Sequence, residues 1–196
     1  MNKIFKLIIF VSIGILFISC GSVSNDIKFK QGATNYNVIL RKTKDTENLI
    51  IRIQFPNKIT ITNNSFSSET FITLDYKYDN VPTGRDLHIG LFSQEGNVLM
   101  KTTNNSRKTI PSNKSLEYVY YTRHFVESTE AIQQQFEPYV QEMLEENKDT
   151  LHIGTVSDFK KNHKELFERL TKNDSISVQF LDGNKFGERI SVPVEW

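Results

Sequence analysis

Residues 49–62 read LIIRIQFPNKITIT and carry the clearest strand pattern in the chain. Apolar side chains recur there at every second position, which is typical of a strand that buries one face. The pattern predicts two consecutive strands with the inward residues Leu49, Ile51, Ile53, Phe55, Ile59 and Ile61. The fold is therefore expected to be built around half-buried strands.

Similar patterns continue through the first half of the chain. Residues 70–78 alternate in the same way. Their inward face would hold Ile72, Leu74, Tyr76 and Tyr78. The runs 87–92 and 98–101 flank a segment with the composition of a hairpin turn, and residues 116–125 have strand character. Residues 101–115 contain one large apolar residue, which predicts a long loop or linker.

Two amphipathic helices are predicted in the second half. The first follows Ser128, a residue type that caps helices, and Pro138 lies inside it. Its apolar stripe consists of Ile132, Phe136, Tyr139, Val140, Met143 and Leu144. Because proline inside a helix costs ~3 kcal/mol, we expect a kink near Phe136 or two shorter helices, the second opened by Pro138. Ser157 is expected to cap the second helix, which carries Phe159, Leu166, Phe167 and Leu170.

The chain ends in a predicted hairpin. Residues 176–180 and 190–196 alternate on either side of an Asp182-Gly183 turn. Pro193 cannot donate to a strand ladder, so the last strand is expected at a sheet edge, with Trp196 filling the core. Together the patterns predict an α+β fold, with a β-rich N-terminal part, two amphipathic helices packed on a sheet and a C-terminal β-hairpin.

The first twenty residues, MNKIFKLIIFVSIGILFISC, have a different character. Lys3 and Lys6 precede a 12-residue apolar run, which is shorter than the ~20 residues of a spanning helix. The run ends at Ser19-Cys20, which resembles the lipobox of bacterial lipoproteins. The resemblance implies cleavage before Cys20, a thioether-linked diacylglycerol on its sulfur and an acyl chain such as palmitate on its amine. Each buried methylene contributes ~0.8 kcal/mol, so three chains would hold the protein firmly at a membrane.

This interpretation divides the chain into a signal peptide (1–19), a lipidated tether (20–35) and a single α+β domain (36–196), with a possible subdivision near 101–115. Cys20 is the only cysteine, so the domain would have no disulfide. Removal of Lys3 and Lys6 leaves 22 basic and 23 acidic side chains. This nearly neutral charge gives no reason to expect nucleic-acid binding. We expect a lipid-anchored envelope protein, in the outer membrane of a Gram-negative bacterium, since no acidic retention-type signal follows Cys20.

Three groups of residues are candidates for a site. His88 and His152 lie in identical LHIG tetrapeptides and could meet on neighbouring strands within metal-binding distance, although two exposed strand histidines are the simpler explanation. Aromatic and cationic side chains between 118 and 124 resemble recognition surfaces, and the glutamates of the first helix could bind a basic partner. The predicted partner-binding residues are Tyr118, Tyr120, Arg123, Glu142, Glu145 and Glu146.

The sequence contains no phosphate-binding glycine loop, nucleophile elbow or paired-cysteine metal motif. It therefore predicts no catalytic residue, metal or cofactor, and it favours a non-enzymatic module that binds another envelope protein or a glycan. Two alternatives remain open. One is a lipid-anchored hydrolase of cell-wall or host polymers, and the other is an immunity or inhibitor lipoprotein that acts through its acidic helix.

Overall fold

A computed structural model describes residues 23–45, 47–79, 89–96 and 98–196. The predicted signal peptide, Cys20 and His88 lie outside these residues. The strands in chain order are β1 (Ile27–Gly32), β2 (Val38–Lys42), β3 (Ile50–Gln54), β4 (Pro56–Asn63), β5 (Glu69–Lys77), β6 (Gly90–Glu95), β7 (Val98–Lys101), β8 (Lys108–Ile110), β9 (Lys114–Tyr121), β10 (His124–Phe125), β11 (Thr150–Ile153), β12 (Ser175–Asp182) and β13 (Lys185–Pro193). The helices are α1 (Val23–Asp26), α2 (Glu130–Gln133), α3 (Glu137–Glu145), α4 (Val156–Asn162) and α5 (Lys164–Thr171).

The strands form three antiparallel sheets. Sheet A has the order β1-β4-β9-β6-β7, sheet B has β10-β3-β2-β11, and sheet C has β13-β12-β5-β8. Side chains of sheets A and C meet in one hydrophobic core, and sheet B packs against α2 to α5 around a second. The predicted α+β class is confirmed. None of the helices in the described residues is long and apolar enough to span a membrane.

The chain passes between the two cores at two places, where one strand continues into the next. β3 continues into β4 through Phe55, and β9 continues into β10 through Thr122, both fully buried. The Thr122 amide donates to the Phe55 carbonyl at 3.0 Å, and the Phe55 amide donates to Thr122 Oγ1 at 3.1 Å. These bonds keep the two strands paired where the inner face changes from one core to the other. Sheet B is therefore an extension of sheet A with helices on one side.

In two strands the pairing is irregular, and the buried residue is not the one that was predicted. Lys42 lies opposite Ile50 while Arg41 lies opposite Arg52, so β3 has one extra residue there. As a result Ile50 is fully buried with Ile53 and Phe55, whereas Ile51 is only partly buried. A similar shift in the pairing of β5 with β12 buries Phe71 in place of Ile72. One extra residue moves every following side chain to the other face, which explains both errors.

Two segments predicted as irregular contain strands. Residues 27–32, inside the predicted tether, form β1 and pair with β4 along its whole length. Residues 108–110, inside the predicted loop 101–115, form β8 beside β5. Both predictions are wrong for these residues because β1 and β8 are sheet edges with few apolar side chains. Any tether is therefore confined to the residues before α1.

The predicted interruption of the first helix at Pro138 is present, whereas the predicted cap of the second helix is wrong. Pro138 stands in the first turn of α3, after a 3-10 turn at Gln134–Phe136, so the helical segment is interrupted at this point. α4 is capped by Thr155 and not by Ser157. The Asp158 amide donates to Thr155 Oγ1 at 3.3 Å, and the Asp158 carboxylate accepts from the Thr155 amide at 2.8 Å. This reciprocal pair is a capping box.

The end of the chain joins the two cores. β12 and β13 form a hairpin with Gly183 at φ +60°, and β13 is the edge of sheet C. Trp196 packs against both cores, with its ring 5.7 Å from those of Phe55 and Phe167. The side chain is partly buried. Trp196 therefore covers the junction that Phe55 occupies.

Candidate anion-binding face

The face of sheet B that points away from the helices carries two rows of side chains. Antiparallel pairing places the first row across all four strands, in the order Thr150, Arg41, Arg52 and Phe125. The second row contains His152, Ile39 and Gln54. Arg123 joins this row when the register of β10 is extended by one residue, between the pairs of His124 with Ile53 and of Thr122 with Phe55. We call this surface the arginine face. None of these eight residues is acidic.

Arg52 is affected by both of the other arginines. Partial burial lowers the pKa of the Arg52 guanidinium, and repulsion by Arg123 and Arg41 lowers it further. Arg41 lies directly opposite Arg52, a like-charge pairing that destabilises a sheet. The Arg52 guanidinium also lies over the Phe125 ring, with Cζ 5.5 Å from its centroid. The protein therefore concentrates positive charge here at a cost to its own stability.

Carboxylates do not neutralise this charge within the described residues. The ion pairs there include none of Arg41, Arg52 and Arg123. The Asp149 carboxylate accepts a hydrogen bond from the Thr150 hydroxyl and pairs with Lys44 Nζ at 3.4 Å. Both contacts lower the pKa of Asp149 more than the charge of Arg41 does. The Nε atoms of Arg52 and Arg123 are shielded from water and have no hydrogen-bond partner in this part of the chain. A guanidinium group can bind two oxygens of one carboxylate, sulfate or phosphate group through parallel hydrogen bonds.

The predicted recognition residues separate into different environments. Tyr118 is 7% exposed and Tyr120 is fully buried, and both rings lie in the core between sheets A and C. Their predicted role in partner binding is therefore wrong. Arg123 precedes β10 on the arginine face, and its backbone amide donates to the Tyr78 hydroxyl at 2.7 Å.

The acidic residues lie on another surface. Glu142 and Glu145 are exposed on α3 beside Leu144, which is 50% exposed. Glu146, just after the helix, accepts from Lys148 at 2.6 Å. The binding role of these glutamates stays a prediction.

The described residues include only one member of the predicted histidine pair. His152 is exposed on β11, whereas its proposed partner His88 lies outside the described residues. Within the described ranges no group of three His, Cys, Asp or Glu side chains could hold a metal ion. Arg41 and Arg52 were missed in the sequence because their alignment depends on pairing between strands.

A separate polar cluster is sealed between the two cores. Tyr76 donates to Asp174 Oδ2 at 2.8 Å, and the Asp79 amide donates to Oδ1 at 3.1 Å. His124 Nε2 lies 3.8 Å from Asp174 Oδ2, and the two side chains are 2% and 0% exposed. Burial raises the pKa of Asp174 to about 6 and lowers that of His124 to about 3. A carboxyl and imidazole pair could exchange a proton, but this pair is closed to any substrate.

One cleft on the described surface also carries several lysines. A cleft of about 600 Å³ between β2 and the end of α3 is lined by Lys42, Lys44 and Lys148. Lys44 pairs with Asp149, Lys148 pairs with Glu146, and Lys42 donates to Asn48 Oδ1 at 2.9 Å. These lysines therefore already have partners. In comparisons with known proteins, no family model, curated protein or solved structure matches the chain.

Proposed function

We propose that the chain is a lipid-anchored binding module of the bacterial cell envelope that holds an anionic ligand on the arginine face. The observation that carries the proposal is the direct pairing of Arg41 with Arg52, beside Arg123, without a carboxylate partner in the described residues. A ligand with carboxylate, sulfate or phosphate groups would relieve this repulsion. Acidic glycans and acidic protein segments both have this chemistry.

The anchor is supported by the signal-peptide pattern and by Cys20 at its end. We expect Cys20→Ser to abolish incorporation of labelled fatty acid and to release the protein from the membrane fraction. The measurement is radiolabelling followed by fractionation of the cells. Continued labelling of the variant would show that the lipid is attached elsewhere or that the signal has another role.

The ligand is tested with two acidic probes, heparin and polyglutamate, and neutral dextran as the reference. We expect the detergent-solubilised protein to bind at least one acidic probe, with an affinity that falls as salt is added. In the double variant Arg41→Gln/Arg52→Gln, affinity should fall roughly tenfold or more, because each charge-assisted hydrogen bond contributes about 1.5–3 kcal/mol. Adding Arg123→Gln should lower it further.

The matched control removes the same charge elsewhere. Lys28 and Lys30 are exposed on β1, opposite Thr62 and Thr60. The variant Lys28→Gln/Lys30→Gln loses two positive charges, as the arginine variant does, and should keep most of its affinity. Equal losses in both variants would show an effect of net charge alone and would contradict the proposed site. Retention on dextran equal to that on both acidic probes would contradict it as well.

The free energy of unfolding of the arginine variant gives a second test of the proposal. Because Arg41 and Arg52 repel each other across the strands, replacing them should leave the free energy of unfolding unchanged or raise it. A residue pair retained only for structure would show the opposite result. Loss of binding together with undiminished stability would therefore assign these arginines to ligand recognition.

A further inference from the structure

Four parts of the chain meet at one end of the sandwich formed by sheets A and C. Ile27 lies opposite Asn63, and Asn63 lies opposite Lys114, so α1, the loop 64–68 and the turn 111–113 are neighbours. The β12–β13 turn reaches the same end, because Phe180 pairs with Phe71 near the start of β5. We call this region the anchor end.

The anchor end is where the chain leads towards the predicted lipid. The backbone amide of Asn64 donates to the Asp26 carbonyl at 2.8 Å, which fixes the end of α1 against the loop 64–68. Three residue steps separate Val23 from Cys20. A chain spans at most about 3.6 Å per residue, so these steps reach no further than roughly 11 Å. A lipid on Cys20 would therefore hold the anchor end next to the membrane surface.

The two most exposed large apolar side chains of the described residues lie at this end. Phe66 is 99% exposed and Phe186 is 76% exposed. Phe66 stands at the middle of the loop 64–68, and Phe186 stands close to the β12–β13 turn, opposite Leu181. Neither side chain contributes to a core. Because transfer of apolar surface out of water is favourable, these two rings are available to an apolar phase at this end.

The loop that carries Phe66 is held in place by a buried side chain. Asn63 is fully buried, and its Nδ2 donates to the carbonyls of Ser67 at 2.8 Å and Ile110 at 3.1 Å. Its Oδ1 accepts from the Ser65 amide at 2.9 Å. Ser112 also donates to the Ser65 carbonyl at 2.8 Å. The loop is thus ordered by its backbone while the Phe66 ring remains in solvent.

We propose that the anchor end rests on the lipid bilayer and that Phe66 and Phe186 insert into its interfacial layer. The inference rests on the proposed lipid anchor, which brings this end to the surface. Interfacial helices bury their apolar face about 5–10 Å into the boundary between headgroups and acyl chains, and the two rings would enter the same layer. Their insertion turns a single point of attachment into a fixed orientation. Because sheet B extends from the other end of β4, the arginine face would lie at a distance from the membrane.

The test uses the single tryptophan of the chain as an internal reference. Trp196 lies at the junction of the cores, away from the anchor end. The lipidated full-length protein is reconstituted into phosphatidylcholine vesicles with brominated acyl chains, which quench nearby tryptophans. The variants are Phe66→Trp, Phe186→Trp and, as a matched control at the opposite end, Phe125→Trp, whose parent side chain is 48% exposed.

We expect the emission of Phe66→Trp and Phe186→Trp to fall strongly in brominated vesicles and to shift to shorter wavelength. The wild-type protein and Phe125→Trp should show neither change. Vesicle-bound protein without quenching at positions 66 and 186, or with equal quenching at position 125, would overturn the inference while the anchor stands. Failure of the protein to float with the vesicles at all would overturn the anchor, and the inference with it.

Discussion

Replacing Phe55 with alanine is expected to lower the free energy of unfolding by about 3–5 kcal/mol, the range for large aromatic residues in a core. Phe55 is fully buried, and its ring lies 5.0–5.7 Å from those of Phe167, Phe159, His124 and Trp196. It connects β3 with β4, so the cavity would open between the two cores.

Urea unfolding followed by circular dichroism measures the effect. Since domains are stable by only about 5–15 kcal/mol, Phe55→Ala could be too unstable to purify, and Phe55→Leu then gives a smaller loss in the same direction. Phe66→Ala is the control, because a fully exposed phenylalanine should change stability by less than about 0.5 kcal/mol. Equal unfolding midpoints for Phe55→Ala and Phe66→Ala would show that Phe55 does not hold the cores together.

The periodic pattern predicted most elements around Phe55 but not the faces of all their residues. Ile53 and Phe55 are buried as predicted, whereas Ile50 replaces Ile51 because of the extra residue in β3. An extra residue of this kind is fixed by the partner strand. The apolar sequence of β3 is compatible with either register. Alternation alone therefore could not locate it.

The candidate site shows a similar limit. Tyr118 and Tyr120 were predicted to bind a partner because aromatic and cationic residues occur together in this segment, but both side chains fill the core. Arg123, from the same segment, does lie on the arginine face. Arg41 and Arg52 are separated from Arg123 by about seventy residues or more, and only sheet pairing aligns them. A site made of residues from three separate segments cannot be recognised before the order and register of the strands of sheet B are known.

The proposed anchor and the proposed ligand face fit one arrangement of the molecule. β4 has eight residues and spans about 26 Å at ~3.3 Å per residue. Its last residue is at the anchor end, and its first residue adjoins Phe55 and sheet B. A protein held by Cys20 would therefore present Arg41, Arg52 and Arg123 at a distance from the lipid headgroups. An anionic ligand could be bound there without competition from a charged membrane surface.

The buried pair of Asp174 and His124 is expected to give two opposing pH dependences. Burial raises the pKa of Asp174 to about 6, above its unfolded value near 3.9, so its stabilising contribution is present at low pH and is lost as pH rises through 6. Burial lowers the pKa of His124 to about 3, below its unfolded value near 6.5, so its contribution is lost as pH falls below 6.5. In the wild-type protein the two slopes nearly cancel between pH 4 and 6.

Single variants should separate the two slopes. Asp174→Asn keeps an acceptor for the Asp79 amide and removes the carboxyl, so its stability should fall as pH drops from 6.5 to 4. His124→Phe keeps an aromatic ring against Phe55 and Tyr78, and its stability should fall as pH rises from 4 to 7. Each change should amount to about 3 kcal/mol, since one pKa unit corresponds to 1.36 kcal/mol. Urea titrations at intervals of half a pH unit measure both curves, and parallel curves for the two variants would show that burial does not control these groups.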